Sequence, residues 1–406
     1  MEEKLILNPS LSNQIINKID EIAINIYNNH DSSPNLMGGK SGELIFIAYY
    51  SKYRENYTYQ EKINPLLSNI FDNVKGGFRF PTFASGLAGI GWTVEHLAQN
   101  GFIKADTNSI IGSLDDFLYP YMHQYIKQGN YDYLHGAIGI GLYYLNRQKN
   151  PKTLKYIEEL IEELEKKSTQ KAEYISWESS LGLNENLRGY NLSLSHGLAS
   201  IIVFLSRLFE AGIKTDKVFY LTTGAINFLL HSKHNSKKYP FQFPAWVCKD
   251  LNSEVDHGGR LAWCYNDLGI GYALWQAGVI YKNEAWKNEA INILLQTTKI
   301  IELSDSKVMD AGLCHGTSGA AHIYNKIYNH TNIEDFKIAA TFWFGQTLKM
   351  AHFDDGLVGY KSFRTPEYGG WYNDYGFLEG ISGIGLAMIS AVSDIEPKWD
   401  RALLLS

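Results

Sequence analysis

The sequence has no excess of basic residues, no long apolar run and very little cysteine, and each shortage removes a class of protein. Lysine and arginine number 37 against 43 acidic residues, a net charge of −6. The basic face that nucleic-acid binding requires is therefore not expected. No run of 18 or more apolar residues occurs, so no transmembrane helix is expected. The opening MEEKLILNPS is acidic and lacks the basic-then-apolar order of a secretory signal. The expectation is a cytoplasmic protein, with peripheral attachment at the inner membrane through partners as the alternative. Three cysteines in 406 residues cannot form a disulfide framework. Kept reduced in that compartment, they are free for metal binding, catalysis or core packing. What remains, 45% hydrophobic and 20% charged residues, is the balance of a globular chain, long enough for one large core or two to three domains.

What the chain does have is one turn written seven times. Glycines three apart precede an apolar run at Gly39/Gly42, Gly86/Gly89, Gly136/Gly139, Gly316/Gly319 and Gly380/Gly383. Two further copies are altered, with Ser200 following Gly197 and Asn266 preceding Gly269. Successive copies lie 47 to 69 residues apart, room for two helices and their loops, and such regular recurrence indicates a repeat architecture. The runs after the turns, such as GIGYALWQAGVIY, are apolar on nearly all sides, as buried helices are. The runs between are amphipathic. LKYIEELIEELEKK puts Leu154, Ile157, Leu160, Ile161 and Leu164 on one stripe, and Thr331 with Glu334 stands at capping-box spacing. Each repeat thus reads as one inner and one half-exposed helix. The expected fold is all-α: a closed α/α toroid of seven helical hairpins forming one domain over 1–406, with an open solenoid as the alternative. An irregular stretch at about 231–260 reads as a lid or insertion. Glycine at these turns permits positive φ or the close approach of another backbone. Tight packing suffices for most of these glycines, while Asn266, the non-glycine type most tolerant of the left-handed region, supports a conformational role at its turn.

In a ring the starts of the inner helices converge at one end, and the residues just before each turn face a shared space. They are Gly38, Ser85, His135, His196, Tyr265, His315 and Glu379, preceded in turn by Met37, Ala84, Leu134, Ser195, Cys264, Cys314 and Leu378. The third to sixth repeats hold the chemistry, with Asp132 four places before Gly136. Two thiolates and an imidazole are a zinc-ligand set, and three protein ligands leave the fourth tetrahedral position open, as in catalytic sites. The residues alone leave the other reading open. Cysteine is a common core residue, and Cys314 can adjoin His315 by chance. Cys248 lies outside every turn and reads as a spare buried thiol.

RLAWCYNDLG, LCHGTSG, SHGLAS and YDYLHGAIG resemble the motifs of the LanC-like lanthionine cyclases, the nisin-cyclase group, along essentially the whole chain. The resemblance implies an α,α-toroid with a catalytic Zn2+ held by Cys264, Cys314 and His315, and further active-site positions at Asp132, His196, Arg260 and Tyr265. Asn266 and Ser200 depart from the family's glycines without touching a ligand position. The implied reaction adds a peptide cysteine thiol to dehydroalanine or dehydrobutyrine in a dehydrated precursor peptide, with a dehydratase and a transporter as partners. His196 is then the expected acid/base, Asp132 its orienting group or proton relay, Arg260 the partner of enolate charge or a brace, and Tyr265 a hydrogen-bond donor. His135 reads as pocket lining and Glu379 as a rim residue. Two other readings keep the toroid: addition of glutathione to dehydroamino acids, and a non-catalytic zinc-containing scaffold or thiol-binding protein.

Overall fold

The structure is a computed structural model that describes residues 7–29, 33–181, 184–234, 239–248 and 259–406. All seven turns lead straight into helices: Lys40–Arg54, Leu87–Gln99, Ala137–Asn146, Leu198–Glu210, Asp267–Ile280, Thr317–Thr331 and Ile381–Val392. They are the first to seventh turn helices below. Each is buried over most of its length, as its all-round apolar sequence requires.

Of the two reasons for glycine, close approach of another backbone is the one that acts at most of these turns. The six glycine caps have φ between −148° and −98°, which any residue adopts, and only Asn266 sits at positive φ, +64°. Space decides instead. A Cβ on Gly139 would lie 2.1 Å from the Tyr133 carbonyl oxygen, and one on Gly319 would lie 2.0 Å from that of Leu313. In both turns the helix start crosses back over the strand of chain six residues earlier.

The chain forms two compact units. One spans Met1–Phe80, Ala84–Lys104 and Ile301–Asp400. In it the first turn helix packs against the second and the seventh, and the seventh against the sixth. A backbone ladder joins the residues two places before each turn: Cys314 N donates to Leu378 O (3.0 Å), Leu378 N to Met37 O (2.9 Å) and Met37 N to Ala84 O (3.0 Å). First and seventh repeats are therefore direct neighbours, as a closed ring requires and an open solenoid does not allow. The seventh turn helix takes its outer partner from Pro9–Tyr27 at the other end of the sequence, while Tyr57–Lys75 covers the first and Glu334–Lys349 the sixth.

The sixth turn helix carries several polar residues that are buried in partnership. His322 Nε2 lies 2.8 Å from Asp400 Oδ2 and Nδ1 lies 2.9 Å from Ser390 Oγ, while Lys326 Nζ pairs with the same carboxylate at 2.6 Å. Burial works against charge there, but Lys326 and His322 outweigh it and hold Asp400 down to about 2; burial depresses His322 below its usual value. The expected capping box at Thr331 and Glu334 does not form. Thr331 is the last residue of the sixth turn helix, its hydroxyl donates back to Ile327 O (2.7 Å), and the cap of Glu334–Lys349 is Ile333.

The other unit spans Pro81–Phe83, Ala105–Ile300 and Arg401–Ser406, and in it the fourth turn helix packs against the third and the fifth. Pro151–Lys167 buries Ile157, Leu160, Ile161 and Leu164 as the stripe requires. Thr153 is buried beside them, its hydroxyl donating to the carbonyl of Arg147, while Leu154 is half-exposed. A hairpin, Thr169–Lys171 with Tyr174–Ser176, is followed by a three-stranded antiparallel sheet of Ser179–Leu181, Asn184–Asn191 and Trp246–Cys248. Of the lid or insertion expected at about 231–260, residues 235–238 and 249–258 lie outside the described residues. The described part is not irregular throughout, since Trp246–Cys248 pairs with the strand just before the fourth turn, Gly189 opposite Cys248.

Candidate metal and acid–base site

The segment before the fifth turn helix carries Arg260, Cys264 and Tyr265, and hydrogen bonds from three directions hold it. The Cys264 carbonyl accepts from Leu194 N (3.1 Å), Ser195 N (3.3 Å) and Ser195 Oγ (3.2 Å). Asn266 closes the segment on itself, its Oδ1 accepting from Arg260 N (3.2 Å) and its Nδ2 donating to Phe243 O (3.0 Å). Positive φ at Asn266 aims that amide both ways, which explains an asparagine where the other turns have glycine. Asp267 accepts from Gln242 N (2.7 Å) and Phe243 N (3.0 Å), and burial outweighs these donors to push its carboxyl up to about 7.

Cys314 and His315 precede the sixth turn helix. Leu313 N and Cys314 N both donate to Leu378 O, at 2.9 and 3.0 Å. Buried Asp310 caps the approach, with Oδ1 accepting from Gly312 N (3.0 Å) and Oδ2 from Phe363 N (2.9 Å). His315 Nε2 lies 3.4 Å from Phe363 O and 3.5 Å from Asp310 Oδ2.

The ligand atoms of Cys264, Cys314 and His315 all lie within 4.8 Å of one another, and they are the group among the described residues able to hold a metal ion. Donors on a tetrahedral zinc with bonds of ~2.0–2.3 Å stand roughly 3.5 Å apart. The donor set suits zinc: two soft thiolates and one imidazole. Cys248 is a buried free thiol on its strand, outside this group.

Next to Cys264 in its own unit stands an acid–base couple. His196 Nδ1 is 2.6 Å from Asp132 Oδ2, while Asp132 Oδ1 accepts from Leu134 N (2.6 Å) and His135 N (2.8 Å). One carboxylate thus fixes a turn and a histidine ring together. Burial opposes charge on both partners. The Asp132 charge, aided by that of Cys264, nevertheless raises His196 above its usual value, and His196 and His135 hold Asp132 below its own. The His135 ring is stacked 6.2 Å from that of His196, and the Tyr265 ring lies 6.0 Å away on a tilt. Burial lowers His135, so the two neighbouring histidines are shifted in opposite directions. Arg260 is exposed, and its backbone N–H is the donor to Asn266 Oδ1. Glu379 accepts from Tyr372 and, at 3.3 Å, from Arg364.

The sequence reading missed Asp310 and Phe363. A signal existed for the first, because Asn130, Asn191 and Asp374 stand at the same place, six residues before the turn glycine, and make the same bond to a backbone N–H two residues on. Phe363 carried none, since its part is played by its backbone.

Comparison with known proteins agrees with the motifs. No curated protein sequence matches this chain. In structure it is similar to one titled nisin cyclase, with a TM-score of 0.74 at 20% identity over 98% of each chain. It is more remotely similar to a sugar epimerase from a ruminal bacterium (TM-score 0.47, 10% identity, 94% of this chain and 98% of that one). A variant α-1,6-mannanase of Salegentibacter sp. HEL1_6 follows (0.45, 10%, 93% and 98%). The likeness to nisin cyclase gives the fold class, an all-α chain built as an α/α toroid. The model of lanthionine synthetase C-like proteins matches residues 30–404, so the chain belongs to the lanthionine synthetase C-like family.

Proposed function

We propose that this protein is a zinc-dependent lanthionine and methyllanthionine cyclase. It adds a cysteine thiol of a dehydrated precursor peptide to a dehydroalanine or dehydrobutyrine of the same peptide. The convergence of Cys264, Cys314 and His315 within 4.8 Å carries the proposal; family membership and the likeness to nisin cyclase support it. Zinc held by these three residues supplies Lewis-acid activation of the incoming thiol, whose pKa is otherwise near ~8.5.

The chain's own residues then have separable tasks. Cys264 and Cys314 bring two negative charges to the site, which keep an incoming sulfur electron-rich and nucleophilic. The sulfur–carbon bond forms at the β-carbon of the dehydro residue, and the α-carbon side becomes an enolate that must take up one proton. His196, held protonated by Asp132, is the donor, and imidazole is the group suited to that exchange near neutral pH. Arg260, always cationic and reaching into solvent, pairs with the enolate charge. Tyr265 contributes a hydrogen bond from beside His196. No helix among the described residues is long and apolar enough to cross a membrane. A dehydratase that makes the substrate and a transporter that removes the product are the expected partners, in the cytoplasm.

Incubation with a dehydrated peptide and, separately, with glutathione tests the reading. The expected result is loss of peptide free thiol without mass change. Gain of one glutathione mass would reassign the enzyme to intermolecular addition, and neither reaction would leave a scaffold.

A further inference from the structure

We infer that Asp310 is a positioning residue for His315: with the Phe363 carbonyl it fixes the imidazole as the Nε2–H tautomer and reserves Nδ1 for the metal. The inference rests on the metal reading above. Its evidence is a comparison of the protein with itself. Six residues before the turn glycine, four repeats carry an Asx side chain that accepts from a backbone N–H two residues on. Asn130 accepts from Asp132 N (3.2 Å), Asn191 from Ser193 N (2.9 Å), Asp310 from Gly312 N (3.0 Å) and Asp374 from Gly376 N (2.6 Å). That bond uses one oxygen, and an amide provides it in the third and fourth repeats. The turn therefore gives no reason for a carboxylate at 310.

The second oxygen gives the reason. Asp310 Oδ2 accepts from Phe363 N at 2.9 Å and stands 3.5 Å from His315 Nε2. The carbonyl oxygen of the same residue lies 3.4 Å from that nitrogen. Both oxygens facing Nε2 are acceptors, so Nε2 carries hydrogen and the ring's lone pair is at Nδ1. Asp310 is 2% exposed, so little water screens its charge from the ring. The strand that carries Phe363 is held in turn by pairing of Ser362–Phe363 with Trp371–Tyr372 and by Ser362 Oγ donating to Glu379 O at 2.8 Å. Asp132 divides its oxygens in the same way, one on turn amides and one on His196. Asp132 does so from a different place, four residues before its turn glycine, where the capping residue six before that glycine is the amide Asn130. Partners of this kind fix the tautomer of a metal-bound histidine and raise its basicity.

The test compares Asp310→Asn with Asp374→Asn. Both keep the capping oxygen, but only the first turns a donating NH2 toward the Phe363 N–H and the His315 ring. Zinc affinity is read by chelator competition, and the cobalt-substituted absorption spectrum reports ligand geometry. Asp310→Asn should fold, bind zinc about 10–100-fold more weakly and show a shifted cobalt spectrum; Asp374→Asn should match the parent in both. Parent-like zinc affinity and cobalt spectrum in Asp310→Asn would overturn the inference. Should that variant fail to fold, long-range ¹H–¹⁵N spectra of the parent protein decide: His315 protonated at Nε2 supports the assignment, and hydrogen at Nδ1 overturns it. Because the metal-free protein gives the same readout, failure of the metal reading is distinguishable from failure of this one.

Discussion

Replacing Asp132 by asparagine isolates the acid–base couple from the metal ligands. The amide can still accept from Leu134 N and His135 N through its one oxygen, so the turn survives. What changes is the 2.6 Å contact to His196 Nδ1, where an anionic acceptor becomes an NH2. A hydrogen bond between charged groups is worth about 1.5–3 kcal/mol, which corresponds to roughly 10–100-fold in rate if the contact is fully made in the transition state. Loss of the donor itself, in His196→Ala, should cost about 10²–10⁴-fold. The assay is loss of free thiol from a dehydrated peptide under single-turnover conditions, with zinc content measured on the same samples. Zinc should be unchanged in both variants. The decisive sample is the double variant, because a residue that acts only through His196 has nothing left to orient once the ring is gone. Asp132→Asn/His196→Ala should be no slower than His196→Ala alone. If the two losses multiply, Asp132 acts independently of His196 and the couple as drawn is wrong.

Three further outcomes follow from the packing. Asp400→Asn removes a fully buried anion from between His322 and Lys326 and should cost about 3–5 kcal/mol in denaturant unfolding. The stabilisation from Asp400 is complete above its unfolded pKa of about 3.9 and is lost as pH falls through about 2. His322, also depressed on folding, adds a loss that begins as pH falls below its unfolded value near 6.5, so the parent should weaken toward acid in two stages; Asp400→Asn should lack the lower one. Gly139→Ala, whose Cβ would stand 2.1 Å from Tyr133 O and 2.7 Å from Phe83 Cβ, should lose about 1–3 kcal/mol, measured the same way. Gly345→Ala in Glu334–Lys349, with nothing within 4 Å of the new methyl, should instead gain about 0.5–1 kcal/mol.

The parts of this protein that were legible in its sequence are those written more than once. Seven turns gave the repeat, and the repeat alone put Cys264 into one expected cluster with the distant pair Cys314 and His315. Features that occur once were not legible. The strands at Thr169–Ser176 and Ser362–Tyr372 are two or three residues long, too short for a period of two to register. Thr331 and Glu334 have the spacing of a capping box, but spacing does not reveal that the preceding helix runs on through Thr331. Close packing was the reason expected for most of the turn glycines, but that Gly139 and Gly319 leave room for the carbonyls of Tyr133 and Leu313 was not legible, because a clash between segments has no signature in one of them alone. Asp310 was visible as one of a set with Asn130, Asn191 and Asp374. Its difference from the two asparagines acquires meaning only when Phe363 is brought beside it.

Metal analysis of the purified protein, beside its Cys264→Ala and Cys314→Ala variants, tests the central claim most directly. The account predicts close to one zinc per parent chain, loss of zinc from both variants, and loss of ring closure with it. A folded parent chain that closes thioether rings at full rate without metal would contradict it.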